Sequence, residues 1–361
     1  HGSRNWVDSL ERVKSRFPKA VSFVEWKSAA REISVKGDFK ALLELIAIFK
    51  AYRKETGGGK EDKGKDDDLV IHLHSSKAGF LGRLAARITG IKAVIYTPHC
   101  GAFLRTDIGR GKRRLYRFFE RLGGLFGGRL VGCGPSEADL YRGLGAMYKN
   151  ACYVSNGVAP RQSSDQSACL PNPAGPGLPG KRGLISFAGI ASFQKDPALW
   201  SAVAAGCAAE AKHEGFEFYW IGDGPESAEI DRNCVTLTGW KSPEAVAELL
   251  EKTAVYLSCS AWEGLPYGVL EAMNCGCALL LRNVPGNRDL VVSGENGRLF
   301  ETKEEAVSLL KKMLADSRGT AEMGKKSRMI LEKDFSLEQM GEGYRRIYGQ
   351  AIFEAKRKNK T

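Results

Sequence analysis

The chain has 361 residues, 43% of them hydrophobic, which is enough for two domains with cores of their own. No apolar run approaches the length of a membrane span and no secretory signal is visible. The nine cysteines are an odd number without a C-x-x-C pair, and Cys133, Cys152, Cys207 and Cys259 sit within or beside apolar segments as buried reduced thiols do, which points to the cytoplasm.

The net charge of +12 is unevenly spread: residues 1–172 hold 30 Lys+Arg against 17 Asp+Glu, and the remainder is nearly neutral. A basic first half suits anionic lipid headgroups or a lipid-linked phosphate. Nucleic acid is a poorer partner, because no recognition motif accompanies the charge. His1-Gly2-Ser3 resembles a cloning scar, and no opening strand and glycine turn precede Trp6.

In chain order, residues 53–68 are rich in Gly and charge and read as a mobile loop. Leu69 to His74 reads as a strand, with a helix carrying Arg83, Ala85, Ala86 and Ile88 behind it. Further strands are predicted over Ala93–Thr97, Leu130–Val131 and Cys152–Val154. Four prolines and four glycines in residues 170–183 mark a linker. A second alternation follows, with strands at Leu184–Ala188, Phe216–Ile221, Val235–Leu237, Val255–Leu257 and Ala278–Leu281. Met340, Tyr344, Ile347, Tyr348 and Ile352 then repeat at helical spacing.

The pattern predicts an α/β protein of two doubly wound Rossmann-like domains facing each other across a cleft. The expected bounds are 1–172 for an acceptor-binding domain, 173–183 for the linker and 184–335 for a nucleotide-sugar-binding domain. Residues 336–361 form a helix that packs back on the first domain.

Within the second alternation, Trp262 to Met273 carries Glu263 and Glu271 eight positions apart, around a glycine turn and a helix start. A strand, a Gly-containing turn and a helix start converge free N–H groups and the helix dipole on one point. Amides for a phosphate and carboxylates for hydroxyls suit a sugar joined to a phosphate.

These residues resemble the GT-B glycosyltransferases of family 4, retaining enzymes that use nucleotide-sugar donors. The resemblance spans roughly residues 30–350. It begins with Ser75-Ser76-Lys77-Ala78-Gly79, Gly82-Arg83-Leu84-Ala85-Ala86 and Tyr96-Thr97-Pro98-His99. It runs on through Asn156-Gly157-Val158, Gln194-Lys195, Trp220-Ile221-Gly222-Asp223-Gly224 and Thr238-Gly239-Trp240. The Glu263 to Glu271 block, Val284-Pro285-Gly286-Asn287-Arg288-Asp289 and Glu295-Asn296-Gly297 complete it. The Ser-Lys-Ala-Gly and Gly-Asn-Arg-Asp elements look most like the bacterial branch that builds capsular, exopolysaccharide or lipopolysaccharide chains.

The resemblance implies transfer from a UDP-sugar to a lipid-linked or oligosaccharide acceptor at the inner face of the cytoplasmic membrane. No metal and no other cofactor is implied; Asp66-Asp67-Asp68 only mimics a D-x-D metal motif. Lys195 corresponds to the phosphate-binding lysine, Glu263 lies near the transferred sugar and Glu271 on the ribose hydroxyls. Gly264, Leu265 and Tyr267 supply backbone around the phosphate, Pro266 having no N–H to give. Thr238, Gly239 and Trp240 flank the base, Gly222-Asp223-Gly224 reads as a turn, and His99 reaches into the cleft from the first domain. His72 and His74 alternate with apolar residues and read as packing.

Lys77 and Arg83 read either as ligands of an acceptor phosphate or as solvated helix residues. The run from Gly109 to Leu122, with Lys112, Arg113, Arg114 and Arg117, interleaves cations and aromatics. It reads either as a membrane-surface helix or as an ordinary helix with a basic face. Two positions depart from the family pattern. Ile190 stands where an arginine usually partners the lysine, so that either donor binding is weaker or Arg282 or Arg288 substitutes, and Cys100 stands where a glycine often follows the histidine. The loss at Ile190 motivates an alternative reading, a non-catalytic nucleotide-sugar-binding subunit; a nucleotide-sugar epimerase is a further alternative.

Overall fold

The computed structural model describes residues 13–30, 33–55, 69–161 and 183–360. Asp66-Asp67-Asp68 and nearly all of the expected linker lie outside the described residues.

Helix α1 (Val35–Glu55) opens the first domain and packs on α2 (Ser76–Thr89). Ala41 and Leu45, one turn apart, form its buried stripe. The sequence reading passed over this helix, and Arg53 to Glu55, expected in a loop, close its last turn. Strands β1 (Ile71–His74), β2 (Val94–Thr97), β3 (Arg129–Gly132) and β4 (Cys152–Tyr153) form a parallel sheet in that order. Helices α3 (Arg110–Leu125) and α4 (Pro135–Arg142) complete the unit.

The second sheet has six parallel strands: β5 (Gly183–Ala188), β6 (Phe216–Ile221), β7 (Val235–Leu237), β8 (Thr253–Ser258), β9 (Ala278–Arg282) and β10 (Gly297–Phe300). β10 was not expected. Helices α5 (Pro197–His213), α6 (Pro243–Glu251), α7 (Tyr267–Asn274), α8 (Lys303–Ala315) and α9 (Ser317–Asp334) accompany them. Every residue of β8 is buried, as a strand covered on both faces requires. The spatial order β10-β9-β8-β5-β6-β7 is the doubly wound order, and its winding reverses between β5 and β8. A crevice for ligands therefore opens where Ala188 and Ser258 end their strands.

Helix α10 (Leu337–Lys360) leaves the second domain and crosses to the first. Ile347, Ala351 and Ala355 pack there on Ala93, Ile95, Val131 and Val154 of the first sheet. The crossing is tight: a Cβ at Gly157 would lie 2.3 Å from the Ser336 carbonyl oxygen.

Candidate active site

The site builds outward from the switch point between β5 and β8. A 3-10 turn, Phe193–Lys195, follows β5, and Ala261 N–H beyond β8 donates to the Gln194 carbonyl at 2.8 Å. The Gln194 amide donates to the Trp262 carbonyl at 2.9 Å and to Glu263 Oε2 at 3.4 Å. These bonds fix Lys195 and Glu263 face to face, with Lys195 Nζ in an ion pair with Glu263 Oε1. Glu263 is only 6% exposed, and a carboxylate that far from water needs such a partner.

Helix α7 starts directly after this pair. Val269 and Leu270 donate back to the Pro266 carbonyl at 3.2 and 3.3 Å. The N–H groups of Tyr267 and Gly268 have no acceptor among the described residues, as the first turn of a helix leaves them. A Cβ at Gly268 would lie 2.8 Å from the Tyr256 hydroxyl and 3.0 Å from the Ala188 carbonyl oxygen, so glycine lets α7 approach the end of β5. Burial pushes the Tyr256 phenol up, and the nearby Glu271 and Glu263 carboxylates add to it. Glu271 is exposed but recessed, and surrounding protein raises its carboxyl.

Leu265 has its side chain packed in the core of the second domain. It is buried, and its carbonyl accepts Asn156 Nδ2 from the first domain at 2.8 Å. Arg282, at the end of β9, binds Asp196 at 3.1 Å immediately beside Lys195. Arg288 is exposed and donates to the Asn283 carbonyl at 3.4 Å. Of the two arginines considered as substitutes at Ile190, Arg282 is therefore tied to the residue that follows Lys195. At the end of β7, Thr238 Oγ1 accepts Gly222 N–H at 3.3 Å and donates to the Gly239 carbonyl, with Trp240 exposed beyond. Asp223 caps Gly224 and Ser227 in a closed turn.

The first domain answers with the turn His99–Cys100 at the end of β2. Both residues have positive φ, 53° and 77°, a conformation that favours glycine. Glu137 holds it: Oε1 accepts Cys100 N–H at 2.6 Å and Oε2 accepts Cys133 N–H at 2.7 Å. A Cβ on Gly264 would lie 3.0 Å from Cys100 N, so this turn packs directly on the glycine that follows Glu263. Asp289 clamps the same region across the domains, accepting from the Ser136 N–H at 3.0 Å and from its hydroxyl at 2.5 Å.

His99 is less available than the sequence suggests. Its Nε2 lies 2.8 Å from His74 Nδ1 and its Nδ1 lies 3.1 Å from Cys133 Sγ. His72 bridges Thr97 Oγ1 and the Tyr348 hydroxyl of α10, each at 2.8 Å. Burial lowers all three imidazoles, His72 to about 3 and His99 to about 4, with mutual repulsion adding at both. The packing expectation thus describes His72, but His74 is exposed and bonded to His99.

Arg83 requires correction. It is 2% exposed, stacks 4.4 Å from the Tyr96 ring centroid and lies 3.6 Å from Glu120. It is neither solvated nor open to an acceptor phosphate; Gly123, where a Cβ would meet its Nη2 at 2.4 Å, makes room for it in the core. Lys77 is also engaged, pairing with Asp38 at 2.5 Å and donating to the Ala30 carbonyl at 2.8 Å. On α3, Lys112, Arg114 and Arg117 are exposed and Arg113 is half-buried.

Glu137, Asp289, Asn156 and Tyr256 are the polar groups that sequence reasoning missed as site builders. Pro135 and Glu137 do mark a helix start, but nothing in that pattern says the carboxylate folds back on two loops.

Two family models cover this architecture. Residues 41–157 match the glycosyl transferase 4-like domain and residues 174–329 match the glycosyl transferases group 1. The chain is 26% identical over 293 residues to the UDP-Gal:alpha-D-GlcNAc-diphosphoundecaprenol alpha-1,3-galactosyltransferase of Escherichia coli, across 76% of this chain and 69% of that protein. Among solved structures it is similar to sucrose-phosphate synthase from Thermosynechococcus elongatus (TM-score 0.68, 17% identity, covering 88% of this chain and 81% of that one). HepE of Anabaena in complex with UDP has a TM-score of 0.65 at 14% identity, covering 86% and 82% of the two chains. With both of its parallel-sheet domains matched in order, the chain belongs to the glycosyltransferases, as a GT-B enzyme of the family 4 type.

Proposed function

We propose that the protein transfers a sugar from a UDP-sugar to a lipid-linked or oligosaccharide acceptor, with retention at the anomeric carbon, in assembling a bacterial surface polysaccharide. The observation that carries this reading is the Lys195–Glu263 pair at the switch point, opposite the His99–Cys100 turn. On donor binding the diphosphate competes with Glu263 for Lys195. Lys195 then neutralises charge growing on the leaving oxygen, helped by Tyr267 and Gly268 N–H groups at the start of α7. Glu263, released from Lys195, accepts from hydroxyls of the transferred sugar, and Glu271 takes the ribose. Arg282, held beside Lys195 by Asp196, supplies the second positive charge that Ile190 lacks. This reading needs no metal.

With Glu263 engaged by hydroxyls of the transferred sugar, no carboxylate is left in the role of covalent nucleophile, so attack from the donor's own face, assisted by the leaving phosphate, fits best. The donor and acceptor classes follow the relatives: the E. coli enzyme is named for UDP-Gal and a diphosphoundecaprenol-linked saccharide, and HepE was solved with UDP. Among the described residues no helix is long and apolar enough to cross a membrane. Contact with a lipid-linked acceptor falls instead to α3, where exposed Leu115, Phe118 and Leu125 lie among the cations.

UDP release from UDP-galactose, UDP-glucose and UDP-N-acetylglucosamine tests the site. Lys195→Ala and Glu263→Ala should each lose on the order of 10²–10³ in rate, measured on the folded fraction. Absence of UDP binding in the wild type, or full turnover in both variants, would sink the assignment. NMR of the product should show the donor's anomeric configuration; sugar interconversion without acceptor would reveal an epimerase instead.

A further inference from the structure

The hydrogen bonds around His99 have a direction, and it points to a different residue. His74 Nδ1 and His99 Nε2 are 2.8 Å apart, so one ring donates an N–H and the other accepts with a lone pair. Which one donates is decided at the far nitrogen of His99, 3.1 Å from Cys133 Sγ. Burial keeps the Cys133 thiol protonated, and the Glu137 carboxyl lies beside it. Burial pushes the Glu137 carboxyl up, but each of its oxygens already accepts a backbone N–H at the first turn of α4, so both face outward as acceptors. The single S–H goes to that stronger acceptor and leaves a sulfur lone pair facing His99. His99 then carries its hydrogen on Nδ1, its Nε2 accepts from His74 Nδ1–H, and His74 Nε2 is left as a bare lone pair.

His74 is exposed and is the last residue of β1. Among the described residues β1 is the outer strand of the first sheet, beyond β2, whose terminal turn packs on Gly264. The imidazole is therefore one strand removed from the turn that meets the second domain. We propose that His74 presents an imidazole to the acceptor, accepting a hydrogen bond at Nε2 from one of its sugar hydroxyls. His99, Cys133 and Glu137 are positioning residues that set its tautomer. The inference rests on the glycosyl-transfer reading above and adds an acceptor-side ligand to it.

The chain has five histidines, which makes a direct test practicable on the full protein. Long-range ¹H–¹⁵N NMR of ¹⁵N-histidine-labelled protein at neutral pH, assigned with His→Gln variants, should show His74 protonated at Nδ1 and bare at Nε2. Cys133→Ala should disturb the His74 tautomer although it does not touch that ring. An Nε2–H tautomer at His74 in the wild type overturns the proposal. For kinetics, the probes are UDP-galactose and a decyl-diphosphate-linked α-N-acetylglucosamine. His74→Ala should raise the acceptor KM about tenfold, the effect of one hydrogen bond of about 1.4 kcal/mol, and leave UDP affinity within about twofold. His74→Gln, which keeps an acceptor oxygen, should recover part of the loss. Normal UDP affinity with an unmoved acceptor KM in His74→Ala defeats this inference alone, whereas a wild type that binds no UDP defeats the glycosyl-transfer reading. Should this acceptor not turn over, the tautomer decides.

Discussion

The two domains carry their charge in different places. In the second, the strands bury mainly apolar residues and most polar groups of the candidate site stand at or after strand ends: Lys195 after β5, Thr238 after β7, Glu263 after β8 and Arg282 at the end of β9. In the first, polar groups lie inside the secondary structure itself. His72 and His74 are on β1, Thr97 ends β2, and Arg83, Glu120 and Glu137 are buried on three different helices. A loop residue at the end of a parallel strand faces the crevice by construction, so its chemistry is available to a ligand. A charged residue on a packed helix must be neutralised within the protein. Arg83 accordingly donates to the Gly79 carbonyl at 2.9 Å and the Tyr148 hydroxyl at 2.8 Å, and its charge is offset by Glu120 at 3.6 Å, an ion pair without a hydrogen bond.

That contrast predicts its largest effect at Arg83. Arg83→Met leaves Glu120 buried without its cation and should destabilise the protein by about 3–5 kcal/mol. UDP affinity of the folded fraction should be unchanged. The double variant Arg83→Met, Glu120→Leu should regain most of the stability, because a buried ion pair can be replaced by apolar packing. Urea unfolding followed by far-UV circular dichroism measures both. A single variant as stable as the wild type would erase the distinction between the two domains.

The same contrast explains what could be read from the sequence. The strands of the second domain are short apolar runs bounded by turn residues, so their pattern located them, whereas the roles expected of the loops that follow came from the Glu263–Glu271 block and the family resemblance. β10 escaped because Gly297-Arg298-Leu299-Phe300 is too short and mixed to stand out from the turn before it. Helix α1 escaped although its apolar residues repeat at helical spacing. The glycine- and charge-rich stretch that follows it drew Arg53 to Glu55 into the predicted loop. Arg83 shows a deeper limit. Its neighbours Tyr96, Glu120 and Tyr148 are remote in sequence, and a helical arginine preceding an acceptor looks the same whether its face is wet or dry. Glu137 is invisible for the same reason: its role depends on two loops from β2 and β3 meeting at one helix start.

The exposed Lys112, Arg114 and Arg117 of α3 depart from this pattern, since among the described residues no ion pair neutralises them. Each Lys or Arg near an anionic bilayer contributes about 1 kcal/mol. Replacing Lys112, Arg114 and Arg117 together by Gln should therefore weaken co-sedimentation with phosphatidylglycerol-containing vesicles on the order of 10²-fold. Thermal stability and UDP binding should hold. Raising the salt concentration should weaken the wild type in the same way. Vesicle binding that is indifferent to both changes would make α3 an ordinary basic helix.

The smallest effect concerns His72, where a titratable group is enclosed by the first sheet and α10. It faces His74, His99 and Thr97 on the strands and Tyr344 and Tyr348 on the helix. Its pKa falls from the ordinary 6.5 to about 3 through burial first and the two imidazoles second. The unfolded chain therefore takes up a proton below pH 6.5 that the folded protein refuses until near pH 3. Stability from the neutral ring is full above the upper value and is lost as pH falls through this window. The slope is at most about 1.4 kcal/mol per pH unit, reduced by solvent at the partly exposed ring. His74 and His99 act with the same sign, while Glu120 and Glu137, pushed up by burial, act against them. The difference between wild type and His72→Gln isolates the one group. That difference should be constant above pH 6.5 and shrink steadily below it. A gap independent of pH would mean that His72 takes up its proton in the folded protein as readily as in the unfolded chain, and that the contact with α10 does not exclude charge.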